Sequence, residues 1–186
     1  MNKALFLDRD GTLIEHKPYL HKPEEIVLLS GTTAALRLAQ EAGYLLFLFT
    51  NQSGVGRGYF ALEDVHRVHI RLIELLGLGQ DIFTEICVAP EHPEAPSIYR
   101  KPSPKFIQEM ITKYDLIPTQ CWMVGDSPSD WSAGAAAGIG VAAVQPYPPK
   151  KDSHHNPLTP PEPLFTSLLD FVRAKLPGSP LRPEFG

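Results

Sequence analysis

The chain has 186 residues, of which 43% are apolar, and carries a formal net charge of −4. This length suits one domain of ordinary size with a substantial hydrophobic core. The weakly negative charge gives no basic footprint for nucleic acid, and no apolar run approaches the roughly 18 residues that cross a bilayer. Only Cys87 and Cys121 are present, so no disulfide framework is predicted. We therefore expect a cytoplasmic protein, a monomer or small homo-oligomer, with neither a nucleic-acid nor a membrane partner.

Short apolar runs alternate with helical patterns along most of the chain. The predicted strands cover residues 3–7, 44–49, 82–89, 121–125 and 139–144. The predicted helices cover residues 32–42, 61–76, 104–114, a short segment opening at Ser127-Pro128, and 164–176, with caps at Thr32 or Thr33, Ser103 and Ser127. Strands that alternate with helices predict an α/β fold, in which a parallel sheet is covered by helices on both faces. Ligand sites in such sheets lie at the carboxyl ends of the strands.

Prolines divide the rest of the chain. Of the nineteen prolines, seven lie within residues 146–163 and three within the last ten residues. We expect a core over residues 1–145, a proline-rich linker over 146–163, a C-terminal helix over 164–176 and a tail over 177–186.

Two carboxylates directly follow the first predicted strand, in the run Leu7-Asp8-Arg9-Asp10-Gly11-Thr12. Carboxylates with one residue between them can converge on one substrate, where one attacks and the other moves a proton. A calcium-binding loop is the alternative, but it needs Gly at its sixth position and Glu at its twelfth, where this chain has Tyr19. The pair therefore favours catalysis.

Three weaker signals follow later strands or precede helices. Thr50 ends the second predicted strand and is followed by Asn51-Gln52-Ser53, and Lys101 lies just before a predicted helix. Asp126 follows the fourth strand, and because Ser127 can cap the next helix, Asp126 is free to bind a metal, with Asp130 as a supporting neighbour. Taken singly, each of these has an ordinary structural explanation as a turn residue, a surface lysine or a helix cap.

In this order along one sheet edge, the signals resemble the haloacid dehalogenase superfamily over residues 4–144. The resemblance is carried by Phe6-Leu7-Asp8-Arg9-Asp10-Gly11-Thr12, Phe49-Thr50-Asn51-Gln52, Arg100-Lys101-Pro102 and Val124-Gly125-Asp126-Ser127. Within the superfamily the chain is most similar to bacterial histidinol-phosphate and heptose-bisphosphate phosphatases, above all over residues 50–58. The resemblance implies a Rossmann-like three-layer α/β/α fold. We expect no cap domain, because residues 12–31 and 89–100 fall short of the roughly 50 that a domain needs.

The resemblance also implies roles for individual residues. Asp8 would attack phosphorus and form an aspartyl-phosphate, Asp10 would act as general acid and base, and Thr50 and Lys101 would stabilise the phosphoryl group. Magnesium would be held by Asp8, Asp126 and the backbone carbonyl of Asp10. Contacts to a small phosphorylated metabolite are expected from His16, Lys17, Pro18, Tyr19, Asn51, Gln52, Ser53, Arg57 and Arg100.

The chain departs from the heptose phosphatases at their structural zinc site, which uses Cys-x-His and a later Cys-x-Cys. Cys87 matches the first ligand, but Ala89, Ser97 and Tyr99 replace the others. His92 could serve as a displaced ligand, yet two ligands fall short of the four that a structural zinc requires. Zinc is therefore not expected.

The residues leave the substrate open. A heptose 1,7-bisphosphate is favoured because Lys17, Arg57 and Arg100 could surround a second phosphate. Histidinol phosphate is an alternative, although its amine would need a carboxylate such as Glu15 or Glu91. A polynucleotide 3′-phosphatase would require a basic groove. A non-catalytic scaffold that binds phospho-ligands would not need the acid pair.

Overall fold

The computed structural model describes residues 2–145, 160–161 and 163–176. Nearly all of the predicted linker 146–163 and the whole predicted tail 177–186 lie outside the described residues. The strands are β1 (Asn2–Leu7), β2 (Tyr44–Asn51), β3 (Glu85–Ala89), β4 (Leu116–Gly125) and β5 (Gly140–Ala143). The helices are α1 (Thr32–Glu41), α2 (Ser53–Gly56), α3 (Leu62–Leu76), α4 (Lys105–Lys113), α5 (Pro128–Ala136) and α6 (Leu168–Lys175). The strands form one parallel sheet in the order β3-β2-β1-β4-β5.

The sheet is buried on both faces, and the central strand β1 shows why. Side chains alternate across a strand, so Leu5 and Leu7 face one side while Ala4 and Phe6 face the other, all of them fully buried. The leucine side packs with buried residues of α1, α3 and α6, and the Phe6 side with those of α4 and α5. The predicted three-layer α/β/α arrangement is confirmed.

Several boundaries differ from those that the sequence predicts. β4 begins at Leu116 instead of residue 121, because its exposed stretch over residues 118–120 carries no apolar signal. β3 begins at Glu85 instead of residue 82. The last helix begins at Leu168 instead of residue 164, and the Ser167 hydroxyl accepts a hydrogen bond from the Asp170 amide at its start.

Two of the predicted caps are wrong. Gly31 precedes α1, and the Thr32 hydroxyl donates to the carbonyl of Leu13 instead of capping the helix. Pro104 and not the predicted Ser103 is the N-cap residue of α4, although the Ser103 hydroxyl accepts a long hydrogen bond of 3.4 Å from the Lys105 amide. The predicted cap of α5 is confirmed, since Ser127 is its N-cap residue, and Oδ2 of Asp130 accepts hydrogen bonds from the Ser127 amide at 3.0 Å and the Ser127 hydroxyl at 2.7 Å.

Neither of the two segments that could hold a cap domain folds as one. Residues 12–31, which we call the flap, contain only a short 3-10 helix over Pro23–Glu25. Of residues 89–100, only Ala89 belongs to a helix or strand, as the last residue of β3. Buried flap residues such as Leu13, Ile14 and Leu20 join the core on the leucine side of the sheet. Among the described residues, no helix has the length and apolar character to cross a membrane.

Candidate active site

The loop after β1 places two aspartates at the carboxyl edge of the sheet. The Asp8 amide donates to the carbonyl of Val124 at 3.0 Å, which extends the pairing of β1 with β4 by one residue. Gly11 then reverses the chain with φ of +91°. A Cβ atom at Gly11 would lie 2.2 Å from Oδ2 of Asp126, so only glycine lets this loop approach the residue that follows β4.

Lys101 enters from the loop between β3 and α4 and binds Asp8. Its ammonium donates to Oδ1 of Asp8 at 2.6 Å and to the carbonyl of Phe49 at 2.7 Å, and it lies 2.6 Å from Oδ1 of Asp130. The Asn51 side chain fixes the backbone of Lys101, because its amide donates to the Lys101 carbonyl and its oxygen accepts from the Lys101 amide. Asn51 therefore holds the lysine that holds Asp8.

Asp10 is fixed by a second set of hydrogen bonds. The Arg9 guanidinium donates from Nε to Oδ2 of Asp10 at 3.0 Å and from Nη2 to Oδ1 at 3.2 Å. The Gln52 amide nitrogen donates to Oδ2 of Asp10 at 3.0 Å and to the Thr50 hydroxyl at 2.8 Å. Because that hydroxyl accepts from Gln52, its own proton can be given to another acceptor.

These side chains border a cavity of about 380 Å³, which we call the edge cavity. Of the residues predicted as catalytic or ligand-binding, the cavity is lined by Asp8, Asp10, His16, Lys17, Pro18, Tyr19, Asn51, Gln52, Ser53, Lys101 and Asp126. Thr50, Arg57 and Arg100 are not among the lining residues. Thr50 is buried and accepts a hydrogen bond from Gln52. Arg57 is exposed on the turn after α2, and Arg100 is half-buried in the loop between β3 and α4.

Burial shifts the acid-base chemistry of the site. It raises the pKa of Asp8 to about 7, an effect that Lys101 opposes and that Asp130, Asp126 and Asp10 reinforce. Burial also acts to lower the pKa of Lys101, but Asp130 and Asp8 outweigh it, so the net pKa of Lys101 lies above its usual range. Asp8 thus lies among three further carboxylates and is opposed by one ammonium, an arrangement that favours binding of a cation.

A metal site fits this arrangement. Carboxylate oxygens of Asp8, Asp126 and Asp130 lie within 4.8 Å of one another, and all three side chains are buried. Oxygen ligands of this kind suit magnesium. Asp130 thus joins the cluster directly, while the predicted contribution of the Asp10 carbonyl stays a prediction.

Cys87, the one residue that matches the zinc pattern considered in the sequence, is buried, and burial raises the pKa of its thiol to about 12. Within the described part of the chain, the aspartate cluster is the only group of three or more possible metal ligands. The absence of zinc stays a prediction that elemental analysis can test.

Sequence reasoning missed several residues of the site. Arg9 was missed because a buried arginine cannot be told from a surface one in sequence. His69 was missed because it occupies an ordinary inward position of the amphipathic helix α3. Phe60, Leu20, Gly54 and Ser129 also line the edge cavity. The direct ion pair of Asp130 with Lys101 had one available signal, since Ser127-Pro128-Ser129-Asp130 reads as a capping box that buries this carboxylate.

The fold and the site together define a hydrolase of the aspartate-nucleophile class on a Rossmann-like sheet. The family model for haloacid dehalogenase-like hydrolases matches residues 19–138. The chain belongs to this family. It is an enzyme, a phosphatase of the haloacid dehalogenase superfamily, as the sequence motifs predict.

Curated relatives and solved structures agree with this assignment. The D-glycero-beta-D-manno-heptose-1,7-bisphosphate 7-phosphatases of Haemophilus ducreyi and Haemophilus influenzae are 36% and 38% identical to this chain. Those matches cover 74% and 75% of this chain and 79% of each relative. The crystal structure of D,D-heptose 1,7-bisphosphate phosphatase from B. bronchiseptica, complexed with magnesium and phosphate, superposes with a TM-score of 0.79 at 25% identity, covering 92% of this chain and 97% of the other. The enzyme of that name from Burkholderia thailandensis gives a TM-score of 0.60 at 25% identity, covering 92% of this chain and 96% of the other.

Proposed function

We propose that this protein is a magnesium-dependent phosphomonoesterase whose substrate is a D-glycero-D-manno-heptose 1,7-bisphosphate, cleaved at the 7-phosphate. One observation carries the proposal: Asp8 borders the edge cavity with Oδ1 held by Lys101, beside Asp10 and Asp126.

Both cysteines are free thiols, which agrees with a cytoplasmic location.

The residues divide the reaction between them. Because Lys101 holds Oδ1 of Asp8, Oδ2 attacks phosphorus, and the bond from phosphorus to the substrate oxygen breaks. Asp10 gives its proton to that leaving oxygen. It then takes a proton from the water that hydrolyses the aspartyl-phosphate, so that both aspartates return to their starting states. Lys101 stabilises charge on the transferring group.

Magnesium would be held by Asp8 and Asp126, with the carbonyl of Asp10 as the further ligand and Asp130 adjoining. Its charge would lower the repulsion between an anionic nucleophile and an anionic phosphate. The negative charge of Asp130, Asp126 and Asp10 around Asp8 supports a cation at this position.

Substrate choice is supported by where the acidic side chains lie. The only carboxylates among the described residues that line the edge cavity are those of Asp8, Asp10, Asp126 and Asp130. Glu15 lines a different cavity, and Glu91 interacts with Arg100. No further carboxylate of this lining is therefore available for the amine of histidinol phosphate, which favours the heptose bisphosphate named by the curated relatives.

Arg57 and Arg100 remain the proposed partners of the second phosphate. Burial lowers the pKa of Arg100, Glu91 opposes that shift, and Arg57 adds to it. The two guanidinium groups therefore lie close enough to interact electrostatically, and the carboxylate of Glu91 partly offsets the repulsion at Arg100. Nη1 of Arg100 is buried and has no hydrogen-bond partner among the described residues. An anionic group can satisfy it through charge-assisted hydrogen bonds.

Phosphate release with magnesium present tests the proposal. Asp8→Asn is expected to lower turnover by on the order of 10⁴, because it removes the covalent step. Asp10→Asn is expected to cost nearly as much, without adding to the first, since both residues serve one reaction. Asp81→Asn, an exposed substitution of the same chemistry, is the matched control. An Asp8→Asn protein that keeps more than a tenth of its activity would contradict the mechanism.

Substrate is tested by comparing heptose 1,7-bisphosphate with histidinol phosphate. The bisphosphate is expected to give the higher kcat/KM, and Arg100→Ala is expected to narrow that gap by slowing the bisphosphate reaction. An equal or higher kcat/KM for histidinol phosphate would contradict the proposed substrate but not the proposed phosphatase chemistry.

A further inference from the structure

Arg9 is the largest side chain that is fully buried among the described residues, yet it does not line the edge cavity. Its guanidinium grips both carboxylate oxygens of Asp10 through Nε and Nη2. Its remaining terminal nitrogen, Nη1, lies 3.2 Å from Nε2 of His69, a buried residue of α3 that is 60 positions away in sequence. A chain of contacts therefore runs from α3 through Arg9 to Asp10.

The direction of the last hydrogen bond follows from the chemistry of arginine. A guanidinium has donors and no acceptor, so Nη1 donates and Nε2 of His69 accepts. Nε2 must then carry a lone pair, and the single imidazole proton lies on Nδ1. Burial, and next the Arg9 charge, lower the pKa of His69 to about 3, which keeps the ring neutral and able to accept.

We infer that Arg9 and His69 form a positioning pair for the Asp10 carboxylate: His69 fixes the guanidinium from behind, and Arg9 fixes the acid-base group. This inference rests on the proposed function only in taking Asp10 as the proton donor. Neither residue lines the edge cavity. Misplacing a reacting group by about 1 Å can cost on the order of 10²-fold in rate. Because Gln52 still holds Oδ2 of Asp10 when the pair is broken, a smaller loss of about 10-fold is expected.

Leaving-group dependence separates positioning from simple structural support. An aliphatic alkoxide leaves poorly and needs the proton from Asp10, whereas p-nitrophenolate leaves with little help. Damage to Asp10 placement therefore slows an alkyl phosphate more than p-nitrophenyl phosphate in kcat/KM, which reports the steps up to formation of the aspartyl-phosphate. Damage to the fold as a whole slows both alike.

The experiment compares kcat/KM for heptose 1,7-bisphosphate and p-nitrophenyl phosphate across matched variants. His69→Leu removes the acceptor and is expected to lower the alkyl reaction about 10-fold and the aryl reaction about 2-fold or less. His69→Gln keeps an accepting oxygen and is expected to restore most of the alkyl rate. Val68→Ala, a core change on the neighbouring residue of α3, is expected to leave the ratio of the two rates unchanged.

Arg9→Lys keeps the positive charge but cannot donate to both carboxylate oxygens of Asp10 as arginine does. It provides an independent test if circular dichroism shows that His69→Leu does not fold. The same alkyl-selective loss is expected from it. Wild-type ratios in both His69→Leu and Arg9→Lys, or equal losses on both substrates, would overturn the inference. Asp10→Asn is measured alongside. If Asp10→Asn has no effect, the proposed mechanism fails. If it has a strong effect while His69→Leu and Arg9→Lys both keep the wild-type ratio, only the positioning pair is overturned.

Discussion

Buried charge is concentrated at one place in this protein. Among the described residues, the buried charged side chains are Asp8, Arg9, Lys101, Asp126 and Asp130, and all five belong to the cluster at the carboxyl edge of the sheet. Removing charges from water is costly even when they are paired, and a well-packed apolar group would often stabilise the fold as much or more. Stability alone does not account for such a cluster, whereas phosphoryl chemistry does.

His69 makes a prediction about stability against pH. Its pKa is about 3 when folded and about 6.5 when unfolded, so the unfolded chain binds an extra proton between those pH values. Stability is therefore lost as pH falls through this window. Urea unfolding at pH 7 and pH 5 is expected to show that the wild-type protein loses about 2 kcal/mol more than His69→Gln, which cannot titrate. Equal losses in the two proteins would show that His69 titrates normally.

Among single residues, the sequence predicts the site residues that directly follow strands and misses those that support the site without lining it. Asp8 and Asp126 are predictable because each directly follows a buried strand, where parallel strands converge. His69 looks like one more inward position of an amphipathic helix, and only the tertiary fold brings it to Arg9. The Arg57 and Arg100 assignments rest on likeness to relatives and stay predictions.

Among the loops and helices, the flap is held by aromatic contacts to the loop between α2 and α3. Tyr19 packs edge-on against Tyr59 with ring centroids 4.8 Å apart, and His21 stacks on Phe60 at 5.0 Å. Tyr19 has φ of +55°, an uncommon conformation for a bulky residue. The length of residues 12–31 predicts that they hold no cap domain, but the contacts of the flap depend on a turn that periodicity does not reveal.

The turn after β1 gives a second prediction, from two glycines that both have a positive φ, +91° at Gly11 and +61° at Gly77. Gly11→Ala places a methyl group against Asp126, whereas Gly77→Ala at the end of α3 meets nothing within 4 Å. Both substitutions strain a left-handed backbone by roughly 1 kcal/mol. Only Gly11→Ala is expected to lower kcat, by about 100-fold, and to raise the magnesium concentration required, because it displaces a proposed ligand. Steady-state kinetics over a magnesium titration distinguishes them, and comparable kcat values for the two variants would contradict this account of the turn.

Across the whole molecule, the strand order explains why the site lies where it does. From β1 the chain builds outward to β2 and β3 on one side, then crosses back to place β4 and β5 on the other. The order reverses between β1 and β4, and loops that leave adjacent strands in opposite directions open a crevice there. Asp8 and Asp126 are the first residues after those two strands. A parallel sheet covered by helices was predictable from the alternation of strands and helices. The strand order, the exposed start of β4 and the cap residues of α1 and α4 were not, because they depend on tertiary contacts.

Magnesium should therefore stabilise the whole fold, since a ligand that binds only the native state adds RT ln(1 + [L]/Kd) to the free energy of unfolding. At a magnesium concentration of 100 Kd the gain is about 2.7 kcal/mol, which corresponds to a rise in Tm of roughly 5–10 °C for a chain of this size. Asp126→Asn removes one ligand and one of the crowded negative charges, so it is expected to keep or raise the Tm in EDTA and to lose most of the rise with magnesium. Asp81→Asn is expected to behave as the wild type in both conditions. Thermal unfolding followed by circular dichroism measures the three proteins in both conditions, and a full magnesium-dependent rise in Asp126→Asn would place the cation somewhere other than the aspartate cluster.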